Sequence, residues 1–251
     1  MINKLLSENN FTLTSNQLKL IAIVAMFLDH FFAVFVSHNT LEGILLRFPG
    51  RIVAPIICFL MAEGFHYTSN RKKYILRLLA LAVVSHLPYN LLFGFTFFQA
   101  TSVIWALVMG LIALSAVKSE KVHIVLKPII VAICSLLAIT ANWNYVAVLW
   151  IVSFGIFRGD FKKQILGFSI IGIIFHLIPT YLDFGPLHEV YPHWYQLGIF
   201  LAIPILVLYN GKLGKKSKIM SWSFYIFYPA HLLFLFYLDK LTFLAQLMGN
   251  N

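Results

Sequence analysis

The stretch LKLIAIVAMFLDHFFAVFVS, residues 18–37, decides how the rest of the chain is read. Twenty residues at 1.5 Å per residue make a helix about 30 Å long, the thickness of a bilayer's hydrocarbon core. Beyond Lys19 at its start, the ionisable groups in this run are Asp29 and His30. One central Asp costs roughly 2.5–3.5 kcal/mol on insertion scales. Such residues therefore face a protein interior and read as functional by default. Adjacent residues on a helix do not face each other, so Asp29 and His30 must each find a partner on a different neighbouring helix. For Asp29 the expected partner is Arg51 or another histidine.

The pattern repeats outward from this segment. The 251 residues are 60% hydrophobic and 11% charged, where a soluble domain carries about 25% charged residues. Apolar runs at 18–37, 48–68, 73–94, 102–118, 122–141, 144–158, 163–182, 194–210 and 220–239 predict an all-α, polytopic transmembrane bundle of about nine spans. Residues 1–17 read as a cytoplasmic N-terminal segment and residues 18–251 as a single integral membrane domain. The N-terminal residues lack the apolar core and cleavage site of a signal peptide. With the N-terminus in the cytoplasm and one crossing per span, 16 of the 19 Lys and Arg fall on the inner side, and the C-terminus lies outside. Only Arg47, Arg51 and Lys240 fall outside. The net charge of +10 thus reports topology, and nucleic acid is not an expected partner. Cys58 and Cys134 lie within spans and build neither a disulfide framework nor a zinc pattern.

Several motifs carry candidate chemistry. A desolvated imidazole at His30 suits a general base or an acyl carrier, while the bland alternative is polar glue between helices. Arg51, in GRIVAP, either snorkels to the interface or turns inward. Glu63 lies inside the second span, next to Gly64 and ahead of a loop containing Arg71, Lys72 and Lys73. That loop suits the phosphates of a nucleotide-like donor, and equally serves as an inside-positive topology signal. In SHLPYN, His86 and Asn90 share a helix face beside Pro88, an arrangement that suits a polar cavity. In SWSFYIFYPAHLLF, Tyr225, Tyr228 and His231 recur at i, i+3 and i+6, with an aromatic belt as the simpler account of Tyr225. HEVYPH, residues 188–193, has three residues rather than two between Glu189 and His193, and Pro192 interrupts it, so no metal site is expected there.

Taken together, LKLIAIVAMFLDH, GRIVAPIICFLMAEGFHYT, KKYILRLLALAVVSHLPYN, LYNGKLG (208–214) and FYIFYPAHLL (224–233) resemble the TraX family of membrane proteins. These segments cover about half of the chain and both of its ends. Residues 95–200 match only as apolar spans containing Asn144-Tyr145. The resemblance implies an integral membrane acetyltransferase of the bacterial inner membrane. It would use cytoplasmic acetyl-CoA as donor and modify an exported peptide, pilin, glycan or lipid, a pilin-like N-terminus first among them. His30 matches the family's intramembrane histidine and Arg51 its Gly-Arg arginine. With Asp29 in support these are the expected catalytic residues, and the basic residues Arg71, Lys72, Lys73 and Arg77 are expected on the donor. Tyr209-Asn210 and His231 match further motif positions whose roles it does not define. Glu63, His86, Asn90, Tyr209, Asn210, Tyr225, Tyr228 and His231 make up the expected cavity. Two competing readings use the same residues: a proton-coupled transporter, disfavoured because no inverted repeat is detectable, and a non-catalytic assembly factor for a pilus or secretion apparatus.

Overall fold

The structure is a computed structural model that describes residues 12–37, 40–183, 191–215 and 218–249. Its regular structure is helical throughout the described residues, apart from two isolated bridge pairs, Leu13–Tyr209 and Thr101–Ala141. The first helix, α1 (Ser15–Phe35), starts at a capping box in which Thr14 and Gln17 satisfy each other's exposed N–H groups. It buries Leu18, Ala22, Met26, Asp29 and His30 along one stripe, while Leu20, Val24 and Leu28 face outward. Thr40 caps the short α2 (Leu41–Arg47), and a 3-10 turn at Pro49–Ile52 feeds α3 (Val53–Tyr67), whose middle is buried on every side. Asn70 caps α4 (Arg71–Phe93) by accepting from the Lys73 N–H at 2.8 Å. Gly94 ends α4 at φ +71°, a left-handed position that glycine takes without steric cost.

Then follow α5 (Val103–Val117), α6 (Leu126–Leu137) and α7 (Asn144–Ile156). Asp160 caps α8 (Phe161–Gly172), and the hydrogen bonds it accepts from Lys163 hold its carboxyl below the usual carboxylate range. A π-helical turn at Ile173–Leu177 leads into α9 (Ile178–Asp183). A 3-10 helix, Tyr191–Leu201, precedes α10 (Ala202–Val207), and the long α11 (Lys218–Gly249) closes the bundle.

Every apolar run expected to be a span is helical, but the helices differ in length. Among the described residues, five are long and apolar enough to cross a membrane: Ser15–Phe35, Leu41–Tyr67, Arg71–Phe93, Phe161–Leu182 and Trp222–Leu247. The other four, Val103–Val117, Leu126–Leu137, Asn144–Ile156 and His193–Val207, have 10–17 residues. Fifteen residues reach only about 22 Å, short of the hydrocarbon thickness. Two of them, α5 and α7, form the core of the bundle. Leu107, Leu111 and Leu114 meet Trp150, Ile151 and Phe154, all fully buried. Gly110 and Gly155 let the two backbones approach, since a Cβ at Gly110 would lie 2.6 Å from the Ile151 side chain. The outer helices keep apolar outward faces, with Val83, Leu87, Leu166, Phe234 and Leu241 exposed. Helices of this length with lipid-like exposure on one side and a packed interior on the other define a membrane protein.

Candidate active site

Asp29 and His30 take the different partners that their positions on α1 require. Arg51, brought in by the 3-10 turn before α3, donates from Nη2 to Asp29 Oδ2. Arg47, from α2, places Nε 3.7 Å from Asp29 Oδ1. The guanidinium of Arg51 therefore turns inward, with its side chain only 9% exposed. Both arginines lie over the ring of Tyr195, at 4.4 Å for Arg47 and 5.2 Å for Arg51, and Arg51 also lies 5.5 Å from the Trp143 ring. Arg51 Nε and Asp29 Oδ1 are buried and have no hydrogen-bond partner among the described residues.

His30 is held by the last helix. Its Nδ1 lies 2.8 Å from His231 Nε2, and the two rings stack nearly parallel. His231 Nδ1 lies 2.9 Å from the carbonyl oxygen of Phe227. A carbonyl only accepts, so His231 carries its proton on Nδ1 and its Nε2 is the acceptor. His30 must then donate from Nδ1, which leaves its own Nε2 with a free lone pair. This chain of two hydrogen bonds fixes the tautomer and the ring plane of His30.

His30, Asp29 and Arg51 border one small cavity of about 30 Å³, lined also by Met26, Ala54, Ile57, Leu107, Trp143 and Tyr228. A larger pocket of about 420 Å³ has Ile57 among its lining residues, as the small cavity does. Lys19, Thr68, Tyr74, Arg77 and Tyr225 line it, together with Gly64 at the end of α3. Ala22 on α1 and Tyr225 on α11 border the larger pocket, whereas His30 and Tyr228 border the small cavity. The two helices thus run in the same sense from one space to the other. Along α1, Lys19 to His30 spans about 16 Å.

The remaining expected residues sit elsewhere. Glu63 is buried and paired with Arg158, which donates from Nε to Oε1 at 2.8 Å and from Nη2 to the Tyr67 hydroxyl at 3.1 Å. Tyr209 donates to Glu63 Oε2 at 3.4 Å and shares a 2.9 Å hydrogen bond with Ser15. Asn210 donates to Thr12. Backbone bonds join Leu13 to Leu208 and Asn210, and Ser15 to Lys212, so the Tyr-Asn-Gly turn pins the start of α1. His86 donates from Nε2 to the Phe97 carbonyl at 2.8 Å, and Asn90 donates to the same oxygen at 3.5 Å. Those two residues fasten the loop after α4. Arg71 stacks on Phe65, and Lys72 and Lys73 point outward. His188 and Glu189 of the HEVYPH stretch, and residues 1–11, lie outside the described residues.

Sequence reasoning missed Arg158, Trp143, Asn142 and Tyr195. Arg158 counts in the sequence as one more inner-side cation. Trp143 enters the site through a backbone at φ +63°, which no composition or period signals. Gly198 is a further hidden requirement. A Cβ there would collide with the Phe48 carbonyl oxygen and come within 3.1 Å of Arg51 Cβ. Gly198→Ala is expected to cost about 1–3 kcal/mol, read as a lowered unfolding temperature of the purified protein, because the backbone that aims Arg51 must move.

Fold and site together define an all-helical membrane protein with a tautomer-fixed histidine beside a buried Asp–Arg pair. The TraX protein family matches residues 14–239, and the chain belongs to that family. It is also 28% identical over 234 residues to the probable fimbrial assembly protein FimC, serogroup H1, of Dichelobacter nodosus, covering 90% of this chain and 95% of that one. No solved structure matches the chain.

Proposed function

We propose that the protein is an acetyltransferase of the bacterial inner membrane. In this reading it moves an acetyl group from cytoplasmic acetyl-CoA to an amine or hydroxyl of an exported acceptor, a pilin-like peptide first among them. The observation that carries this reading is His30. Its Nε2 lone pair is set by His231, and the ring borders the same cavity as Arg51. The larger pocket, lined by Lys19 and Arg77, lies on the other side of Ile57 from that cavity. With the N-terminus cytoplasmic, the end of the bundle that carries Lys19 and Arg77 is the inner side, and the nine apolar helices among the described residues cross or enter the membrane.

The donor's phosphates stay at the basic mouth, where Arg77 and Lys19 meet phosphate oxygens, with Arg71, Lys72 and Lys73 adding to the local field. Its slender arm reaches past Ile57 and sets the thioester beside His30. His30 Nε2 takes the proton of the acceptor N–H or O–H as that atom bonds to the acetyl carbonyl carbon. Arg51 Nε–H, which has no hydrogen-bond partner among the described residues, supports the oxyanion that forms. The C–S bond then breaks, the acetyl group remains on the acceptor, and the CoA thiolate takes the proton from His30. Asp29 keeps the guanidinium in place. The test of the donor site is CoA binding by the purified, lipid-reconstituted protein. Arg77→Glu is expected to weaken binding by about 10–100-fold, the loss of a charged phosphate contact. Undiminished CoA binding in a folded Arg77→Glu protein would move the donor elsewhere.

A second reading is favoured by the name of the D. nodosus relative, an assembly protein. A non-catalytic pilus assembly factor would bind no acetyl-CoA. Pilus assembly would then survive His30→Gln, a substitution that ends acetylation in the first reading.

A further inference from the structure

We propose that the outward groove between α4 and α11 binds an anionic phospholipid, with the headgroup phosphate on Arg77. This goes beyond the acetyltransferase reading and does not depend on it. The two helices pack side by side, and Arg77, Ala80, Leu81, Val84, Trp222 and Tyr225 line the groove between them. Leu81 is buried, whereas Ala80, Val84 and Trp222 are exposed. Lipid covers an outward face of this kind on a membrane protein. Further along the same helices Leu87 and Ile226 are exposed as well, so the apolar track continues for the acyl chains.

Charge and position select the headgroup. Arg77 lies about 9 Å along the axis from Arg71, where α4 begins. Lys73, one turn nearer that end, is exposed on the same face. Ala80 and Val84, in the following turns, are apolar, so Arg77 marks the change from polar to apolar surface. Trp222 and Tyr225 bring to it the amphipathic rings common at a membrane interface. Among the described residues the ion pairs engage other cations, and Arg77 is in none of them. A guanidinium at the head of an apolar groove matches a phosphate above acyl chains, and basic recesses between membrane helices favour anionic lipids. Arg77 and Tyr225 also line the larger pocket, which makes this lipid its immediate neighbour.

The experiment is native mass spectrometry of the detergent-purified protein, with phosphatidylglycerol and phosphatidylcholine supplied in equal amounts and no CoA present. The wild type is expected to retain phosphatidylglycerol over phosphatidylcholine by about 5–25-fold, the effect of one or two basic side chains on an anionic lipid. Arg77→Gln removes the charge. Ala80→Trp fills the groove with a ring, leaves the guanidinium in place and alters no residue that lines the larger pocket. Each is expected to cut the preference by about threefold or more. Val84→Trp fills the same groove if Ala80→Trp does not fold. Equal retention of the two lipids by the wild type would overturn the proposal, as would an unchanged preference in folded Arg77→Gln. A preference lost in Arg77→Gln but kept in the folded groove-filling variant would put the lipid in the larger pocket, and would overturn the groove as its site. No arm of the experiment involves acetyl transfer, so each result leaves that reading as it stands.

Discussion

Asp29→Ala is expected to destabilise the protein by about 3–5 kcal/mol, because it strands a guanidinium already withdrawn from water. Arg51 donates to Asp29 Oδ2 with its side chain 9% exposed, and Arg47 sits 3.7 Å from the other oxygen. Removing the carboxylate leaves two nearby cations with their shared counter-ion gone. Arg51→Met produces the reverse loss, a carboxylate facing a cavity wall of Val53, Ala54 and Ile57. The double variant Asp29→Ala/Arg51→Met is expected to recover part of the lost stability, since neither member of the ion pair is left buried alone, although Arg47 still loses its carboxylate neighbour. It should remain inactive, because the donor at the oxyanion position is gone. Thermal and denaturant unfolding of the four proteins in one detergent gives the coupling energy. Additive losses would show that the two side chains do not act as a pair.

His30→Gln is expected to lower acetyl transfer by about 10²–10⁴-fold, the usual contribution of a positioned general base, with CoA binding nearly unchanged. Glutamine keeps an amide N–H that can still donate to His231 Nε2, so packing survives and only the basic lone pair is lost. His231 is a positioning residue, and its variants separate the two roles. His231→Phe removes the acceptor that holds the His30 proton on Nδ1, and turnover should fall by about 10–100-fold, as when an orienting partner is lost. His231→Gln restores an acceptor oxygen and should recover part of that loss. A structural role alone would make both His231 variants fail together in unfolding assays and would leave per-molecule turnover unchanged.

The membrane fold was legible because the bilayer leaves few alternatives. An apolar run as long as residues 18–37 has to be a helix, and its Asp29 and His30 have to face inward. Hydropathy did not separate spanning helices from short ones. Val103–Val117 and Asn144–Ile156 are as apolar as any span, yet they pack on each other at the centre of the bundle. Their shortness shows only when a helix end is built, as with Trp143 in a left-handed backbone. Of the site, the inward turn of Arg51 was one of two open alternatives, and the short helical turn that carries it settles which one forms. The partnership of His30 with His231, 201 positions away, had no sequence signal beyond the stripe Tyr225, Tyr228, His231. Tyr209 and Asn210, expected beside the cavity, instead anchor the start of α1. A polar motif at a helix end looks the same in sequence whether it binds a substrate or the chain's own backbone.

Acetyl transfer itself is tested most directly with isotope-labelled acetyl-CoA. The donor is supplied to the reconstituted wild-type protein, with envelopes from cells lacking the protein as acceptor, and mass spectrometry follows the label. Labelled acetyl groups are expected on exported material with the wild type, and at least a hundredfold less with His30→Gln. Labelling that is absent with folded, CoA-binding wild-type protein, or equal with His30→Gln, would contradict acetyl transfer through His30.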